Sequence, residues 1–224
     1  MRAARRLARW VLGMLGDVFL TTGLGLLLFV GWQLWWTDVT ANRAQDAAVV
    51  RLDRDFGADP APGSTTATTD PDAPALGKGF AILRIPRFGA DYARPLLEGT
   101  GRDILMEGVG HYQGTAAPGA VGNFAIAGHR TTYGRPFHDI DTLRTGDRIV
   151  VETRTAFHVY AVQRHTIVTP DDVGVVAPVP EHPGARWLTM TACHPKYSAA
   201  QRYVVFAELV RSYPRAEGLP AGVL

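Results

Sequence analysis

The 19 consecutive residues from Val18 to Trp36, VFLTTGLGLLLFVGWQLWW, carry no charge and constrain this chain more than any other feature. Wound as a helix at 1.5 Å per residue, the run is about 28 Å long, close to the roughly 30 Å hydrocarbon core of a bilayer. It is apolar on every face, unlike a helix that buries only one stripe. Arg2, Arg5, Arg6 and Arg9 precede it and Asp17 marks its inner edge. Trp32, Trp35 and Trp36 gather at the far end, where indole rings favour the membrane interface. This asymmetry predicts a cytoplasmic N-terminus over residues 1–17, a single-pass signal anchor over 18–36 in the cell membrane, and an extracellular remainder. A cleaved signal peptide has a shorter apolar core, about 7–15 residues before a small-residue cleavage site, so an uncleaved anchor is expected.

Residues 37–77 read as stalk and linker. Ala44, Ala48, Val49, Leu52 and Phe56 recur at roughly helical spacing, which predicts a helix over 38–56. The stretch GADPAPGSTTATTDPDAPALG (57–77) holds no aromatic residue and a single leucine. Such a composition buries too little surface to offset chain entropy, so a flexible linker is expected there.

Residues 78–214 are long enough for one domain with a real core, and 215–224 form a C-terminal tail. Short strands are predicted over 80–86, 123–130, 147–153, 157–168, 186–193 and 202–209, separated by Pro118-Gly119, Thr145-Gly146-Asp147 and Pro183-Gly184. That pattern predicts a mainly β fold, a closed or nearly closed barrel rather than βαβ units. Net charge is only +2, and no basic stripe interleaves with aromatic residues, which argues against nucleic acid as a partner. One cysteine and scattered histidines show no zinc-ligand spacing, so neither metal nor cofactor is expected.

Cys193 is the single cysteine, placed in an oxidising compartment where paired cysteines usually form disulfides. An unpaired one there suggests a reactive thiol or an intermolecular bond. On a strand over 186–193, Leu188, Met190 and Ala192 point one way, and Trp187, Thr189, Thr191 and Cys193 the other. The thiol therefore shares the more polar face at a strand end. A thiolate nucleophile needs a base, and histidine is the usual one. Of the seven histidines, His129 is best placed: it ends a predicted strand, aligns with Ala125 and Ala127, and follows Gly128, which admits a close backbone neighbour. His194 leaves the opposite face from Cys193. His111 reads as a loop histidine, and His138, His158, His165 and His182 as residues of loops or solvated strand faces. Arg202 begins the next strand nine positions after Cys193, so a hairpin would return its guanidinium beside the thiol.

Together, GHR (128–130), TMTAC (189–193) and the following strand arginine resemble the histidine, TLxTC and arginine signature of the sortases. The stretches GVGHYQGTAAPGAVGNFAIAGHR and CHPKYSAAQRYVVFAEL resemble the class E group of high-GC Gram-positive bacteria. The resemblance spans roughly residues 80–210. It implies a closed eight-stranded β-barrel with short helices, and a cysteine transpeptidase with Cys193, His129 and Arg202 at its centre. It further implies cleavage of an LPXTG- or LAXTG-like sorting signal between threonine and glycine. The partners implied are surface proteins bearing that signal and a lipid II-like peptidoglycan precursor amine. Tyr112 matches the tyrosine associated with the LAXTG preference, and Thr191 and Ala192 flank the nucleophile as candidate substrate-binding residues.

Two positions depart from the motif. Met190 replaces leucine, a near volume-conserving swap. Ala192 replaces the threonine before the nucleophile, and restoring threonine is expected to raise catalytic efficiency. Two other readings stay open. One is an L,D-transpeptidase-like Cys/His acyl transferase, although SHGC-like surroundings of the cysteine are absent. The other is an anchored β-domain, weakly active or inactive, that binds a surface ligand.

Overall fold

The computed structural model describes residues 2–57, 74–177 and 184–223; His182 and most of the predicted linker lie outside them. Helix α1 (Arg2–Gly57) runs unbroken through both the anchor and the predicted stalk helix. Among the described residues it is the one helix long and apolar enough to cross a membrane, and that apolar window is unburied. Its C-terminal half behaves differently. Leu52 and Phe56 are buried and pack with Ile82 of the barrel, on the stripe that the spacing predicts. Burying two such side chains contributes roughly 1.5–3 kcal/mol each.

The barrel comprises β1 (Gly79–Arg84), β2 (Ala93–Glu98), β3 (Val109–His111), β4 (Gly122–Ala127), β5 (Arg148–Glu152), β6 (Ala156–Val168), β7 (Arg186–His194) and β8 (Gln201–Pro214). Its closed order is β1-β2-β3-β4-β7-β8-β6-β5, with β2–β3 and β4–β7 parallel and the other pairs antiparallel. A short helix, α2 (Arg102–Glu107), links β2 to β3. Alternation fills the interior: Ile126, Leu188, Met190, Ala192, Val205 and Ala207 share one core with Phe124 and Phe137.

Each of the six predicted strands is present, and β2 and β3 are added to them. Pro95 disguises β2, because proline lacks the N–H a central strand needs. It is tolerated here because pairing with β3 begins only at Leu96, leaving that side of Pro95 unpaired. Strand β3 is three residues with Gly110 in the middle, too short to show alternation.

Two histidine expectations are corrected. His111 lies in a strand rather than a loop and is buried. Its Nδ1 sits 2.6 Å from Glu98 Oε2 and its Nε2 2.8 Å from Thr115 Oγ1. His158 faces no solvent: it is 3% exposed, with Nδ1 2.9 Å from Ser212 Oγ. Gly119 (φ +74°) presses on that ring, and a Cβ there would lie 2.2 Å from Nδ1. Burial, with a smaller contribution from the Arg186 charge, lowers the His158 pKa to about 4.

Candidate active site

The site grows out of the parallel pairing of β4 with β7. Ala127 is in register with Thr191, and Gly128 N–H donates to Thr191 O at 3.1 Å. Two residues beyond each partner come His129 and Cys193, so both leave the same end of the barrel from adjacent strands. Strand β4 ends at Ala127, three residues before the predicted limit, and His129 sits in the bend that follows. Gly128 is required here for a different reason than a neighbouring backbone. A Cβ would fall 2.7–3.0 Å from carbons of the Phe137 ring, which packs under the bend.

Strand β8 supplies the third residue. Cys193 and Arg202 are direct cross-strand partners, as the hairpin predicts. Side chains at such a pair share a face, with Cβ atoms about 4.5–5.5 Å apart. The Arg202 Nη1 donates to Ala199 O and Gln201 O, both at 3.0 Å, which lays the guanidinium along the β7–β8 loop. Cys193 is free and half-buried. His129 is also half-buried; burial, helped by the Arg102 charge, holds its pKa below the ordinary imidazole value. Its Nε2 is buried and has no hydrogen-bond partner among the described residues.

Tyr112 follows β3 and is held beside β4 by its N–H to Ala125 O at 2.9 Å. Its hydroxyl lies 3.0 Å from Thr191 Oγ1, two residues before the thiol. Ala192 is 3% exposed within the core, on the face opposite Cys193. That places it behind the nucleophile rather than on a surface open to a peptide.

Sequence reasoning gave no role to Arg130, although it stands inside GHR. It is 2% exposed and pairs with Asp141 Oδ2 at 2.7 Å. Its Nη1 donates to Cys193 O at 3.3 Å and to His194 Nδ1 at 2.9 Å. A guanidinium only donates, so His194 Nδ1 is the acceptor in this contact. Burial acts to raise the Asp141 carboxyl, but Arg130 and backbone bonds outweigh it and leave the pKa lowered. Arg130 thus ties the segment after β4 to the end of β7. Tyr133, whose ring centroid is 5.1 Å from that of His129, carried no sequence signal at all.

A closed barrel with a thiol, an imidazole and a guanidinium at the ends of β7, β4 and β8 defines a cysteine acyl-transfer scaffold. The sortase-domain profile matches residues 83–210, and the chain belongs to the sortase family. Two of its relatives are E-type sortases. It is 40% identical to sortase SrtE1 of Streptomyces coelicolor over 92% of this chain and 59% of that protein. It is 34% identical to SrtE2 of the same organism over 94% of this chain and 87% of that one. The structure of sortase E from Streptomyces avermitilis superposes with a TM-score of 0.63 at 40% identity, covering 67% of this chain and all of the other. The chain therefore spans about three fifths of SrtE1 and most of SrtE2.

Proposed function

We propose that this protein is a membrane-anchored transpeptidase that cleaves an LAXTG- or LPXTG-like sorting signal between threonine and glycine. It passes the threonyl group to an amine of a lipid II-like cell-wall precursor. The observation that supports the reading is the β4–β7–β8 register, in which Cys193 pairs with Arg202 and His129 follows two residues after the Ala127–Thr191 pair.

The competent state is thiolate beside imidazolium. Cys193 Sγ attacks the threonyl carbonyl, a C–S bond forms, and Arg202 turns toward the substrate to steady the developing oxyanion. Protonated His129 gives its proton to the glycine nitrogen as the C–N bond breaks. Neutral His129 then takes a proton from the acceptor amine, which attacks the thioester. The new amide forms and the thiolate leaves. Tyr112, half-buried, borders the peptide beside the nucleophile, and its hydroxyl bond to the buried Thr191 holds it there. With water in place of the amine, the same steps hydrolyse the signal. The long apolar helix and the arginines before it support a single-pass anchor with the N-terminus in the cytoplasm and the barrel outside.

Fluorescent LAXTG and LPXTG peptides are incubated with the full chain and a small amine. Peptide–amine product from the LAXTG substrate, at a higher kcat/KM than from LPXTG, is the expected result. No product from either, with the peptides still bound, would favour the ligand-binding domain. A trapped muropeptide on Cys193 instead of a threonyl peptide would favour an L,D-transpeptidase.

A further inference from the structure

The loop that follows His129 has an unusual backbone. Tyr133 (φ +53°), Gly134 (φ +75°) and Arg135 (φ +50°) lie consecutively in the left-handed region. Glycine accepts that conformation freely, but tyrosine and arginine do so at a cost, and such residues persist where the surroundings over-determine them. Here the surroundings are helix α1, just past its tryptophans, and it reaches all three residues. Gln45 Nε2 donates to Tyr133 O at 3.0 Å. Gly134 N–H donates to Asp38 Oδ1 at 3.3 Å. Arg135 Nε pairs with Asp38 Oδ2 at 3.0 Å. Gln45 is completely buried in this contact, and Asn42, between the two, bonds Arg94 of β2 at 3.0 Å and so fixes the helix against the barrel. The fit is close: a Cβ on Gly134 would lie 3.0 Å from Asn42 Oδ1 and 3.1 Å from Gln45 Nε2.

The same loop carries the surroundings of the base. Tyr133 places its ring against His129, and Phe137 N–H closes the loop on His129 O at 3.0 Å. The barrel holds the far side of the loop, where Tyr92 Oη donates to Pro136 O at 2.7 Å and Phe137 is buried in the core. The near side, next to the imidazole, is fixed from the anchor helix.

We propose that Asp38 and Gln45 are positioning residues of the active site: the membrane-proximal part of α1 sets the 133–135 loop and, through Tyr133, the imidazole of His129. The inference rests on His129 acting as the acid and base. Anchor and catalytic machinery are then one mechanical unit, and the helix does more than tether the barrel.

The test uses the full chain in lipid nanodiscs with an LAXTG peptide and an amine. Asp38→Ala and Gln45→Ala each lower kcat by about tenfold or more, because small misplacements of a catalytic group are costly. KM stays within about twofold, since neither residue borders the peptide in this reading. Asp38→Asn, which keeps an acceptor for Gly134 N–H, recovers part of the loss. Asp53→Ala is the control: Asp53 pairs with Arg215 at 3.2 Å, near the other end of the helix contact, and its loss leaves kcat unchanged. Should Gln45→Ala fail to fold, the Asp38 pair of variants decides. Wild-type kcat in folded Asp38→Ala, or an equal loss in Asp53→Ala, overturns the proposal. His129→Ala in the same assay separates the two readings. If it is inactive while the helix variants are normal, only the positioning role falls; if it is active, both fall.

Discussion

His129 and Ala192 show how single positions set the behaviour of the site. Burial, aided by Arg102, holds the His129 imidazole below its usual pKa and so favours the neutral ring. The acid limb of kcat/KM reports the lower macroscopic pKa of the free enzyme, whichever protonation state reacts. That limb is expected below the ordinary imidazole value of about 6.5, and Arg102→Gln should move it upward. A rate profile from pH 5 to 9 on both proteins checks this. At Ala192 the packing argues against the sequence expectation. Its methyl sits in the core at 3% exposure, paired across strands with Tyr203, so threonine adds volume where little space is open. Overpacking costs about 1–3 kcal/mol, or roughly 2–10 °C in a chain of this size. Ala192→Thr is expected to melt lower without gaining kcat/KM; a more active variant of unchanged melting temperature would show that the missing hydroxyl matters. The proposed thiol, histidine and arginine could be picked out in the sequence because each stands at or near a strand end in a short motif. Arg130 and Tyr133 were not, since their roles depend on contacts across the fold that no spacing encodes.

At the scale of elements, strands with alternation or a continuous apolar run were legible and those with neither were not. Strand β7 alternates from Leu188 to Cys193, which gave its faces, and the short connection to the apolar run of β8 gave the Cys193–Arg202 pairing. Strand β2 hid behind Pro95 and β3 behind its brevity. Helix α1 was read as two pieces, an anchor and a stalk, because apolarity on all faces gives way to a single stripe near Thr37. The structure keeps one helix and presses the stripe onto the barrel. The guanidinium of Arg215 lies 5.2 Å from the centre of the Phe56 ring and that of Arg154 5.7 Å. Phe56→Ala should destabilise the protein by about 2–4 kcal/mol, near the lower part of the range for buried aromatics because the site borders solvent. Urea unfolding of the full chain measures it, and a loss below about 0.5 kcal/mol would mean the helix is not firmly docked.

Across the whole molecule, pH acts on stability through His158, and in the proposed mechanism on catalysis through His129. The folded His158 has a pKa of about 4, against about 6.5 in an unfolded chain. Between those values the unfolded state binds more protons, so the contribution is intact above pH 6.5 and is lost as pH falls toward 4. The loss is on the order of 3 kcal/mol, and His158→Gln should flatten that part of the pH dependence in melts from pH 7.5 to 4.5. The central claim, however, concerns the thiol and its base. Intact mass of the full chain after brief exposure to an LAXTG peptide without amine tests it most directly. The account predicts an adduct equal to the peptide through its threonine on wild type and on His194→Ala. It predicts no adduct on Cys193→Ala, and a loss of comparable size on His129→Ala, because members of one catalytic unit are not additive. An adduct on Cys193→Ala, or one that survives His129→Ala but disappears in His194→Ala, would contradict it.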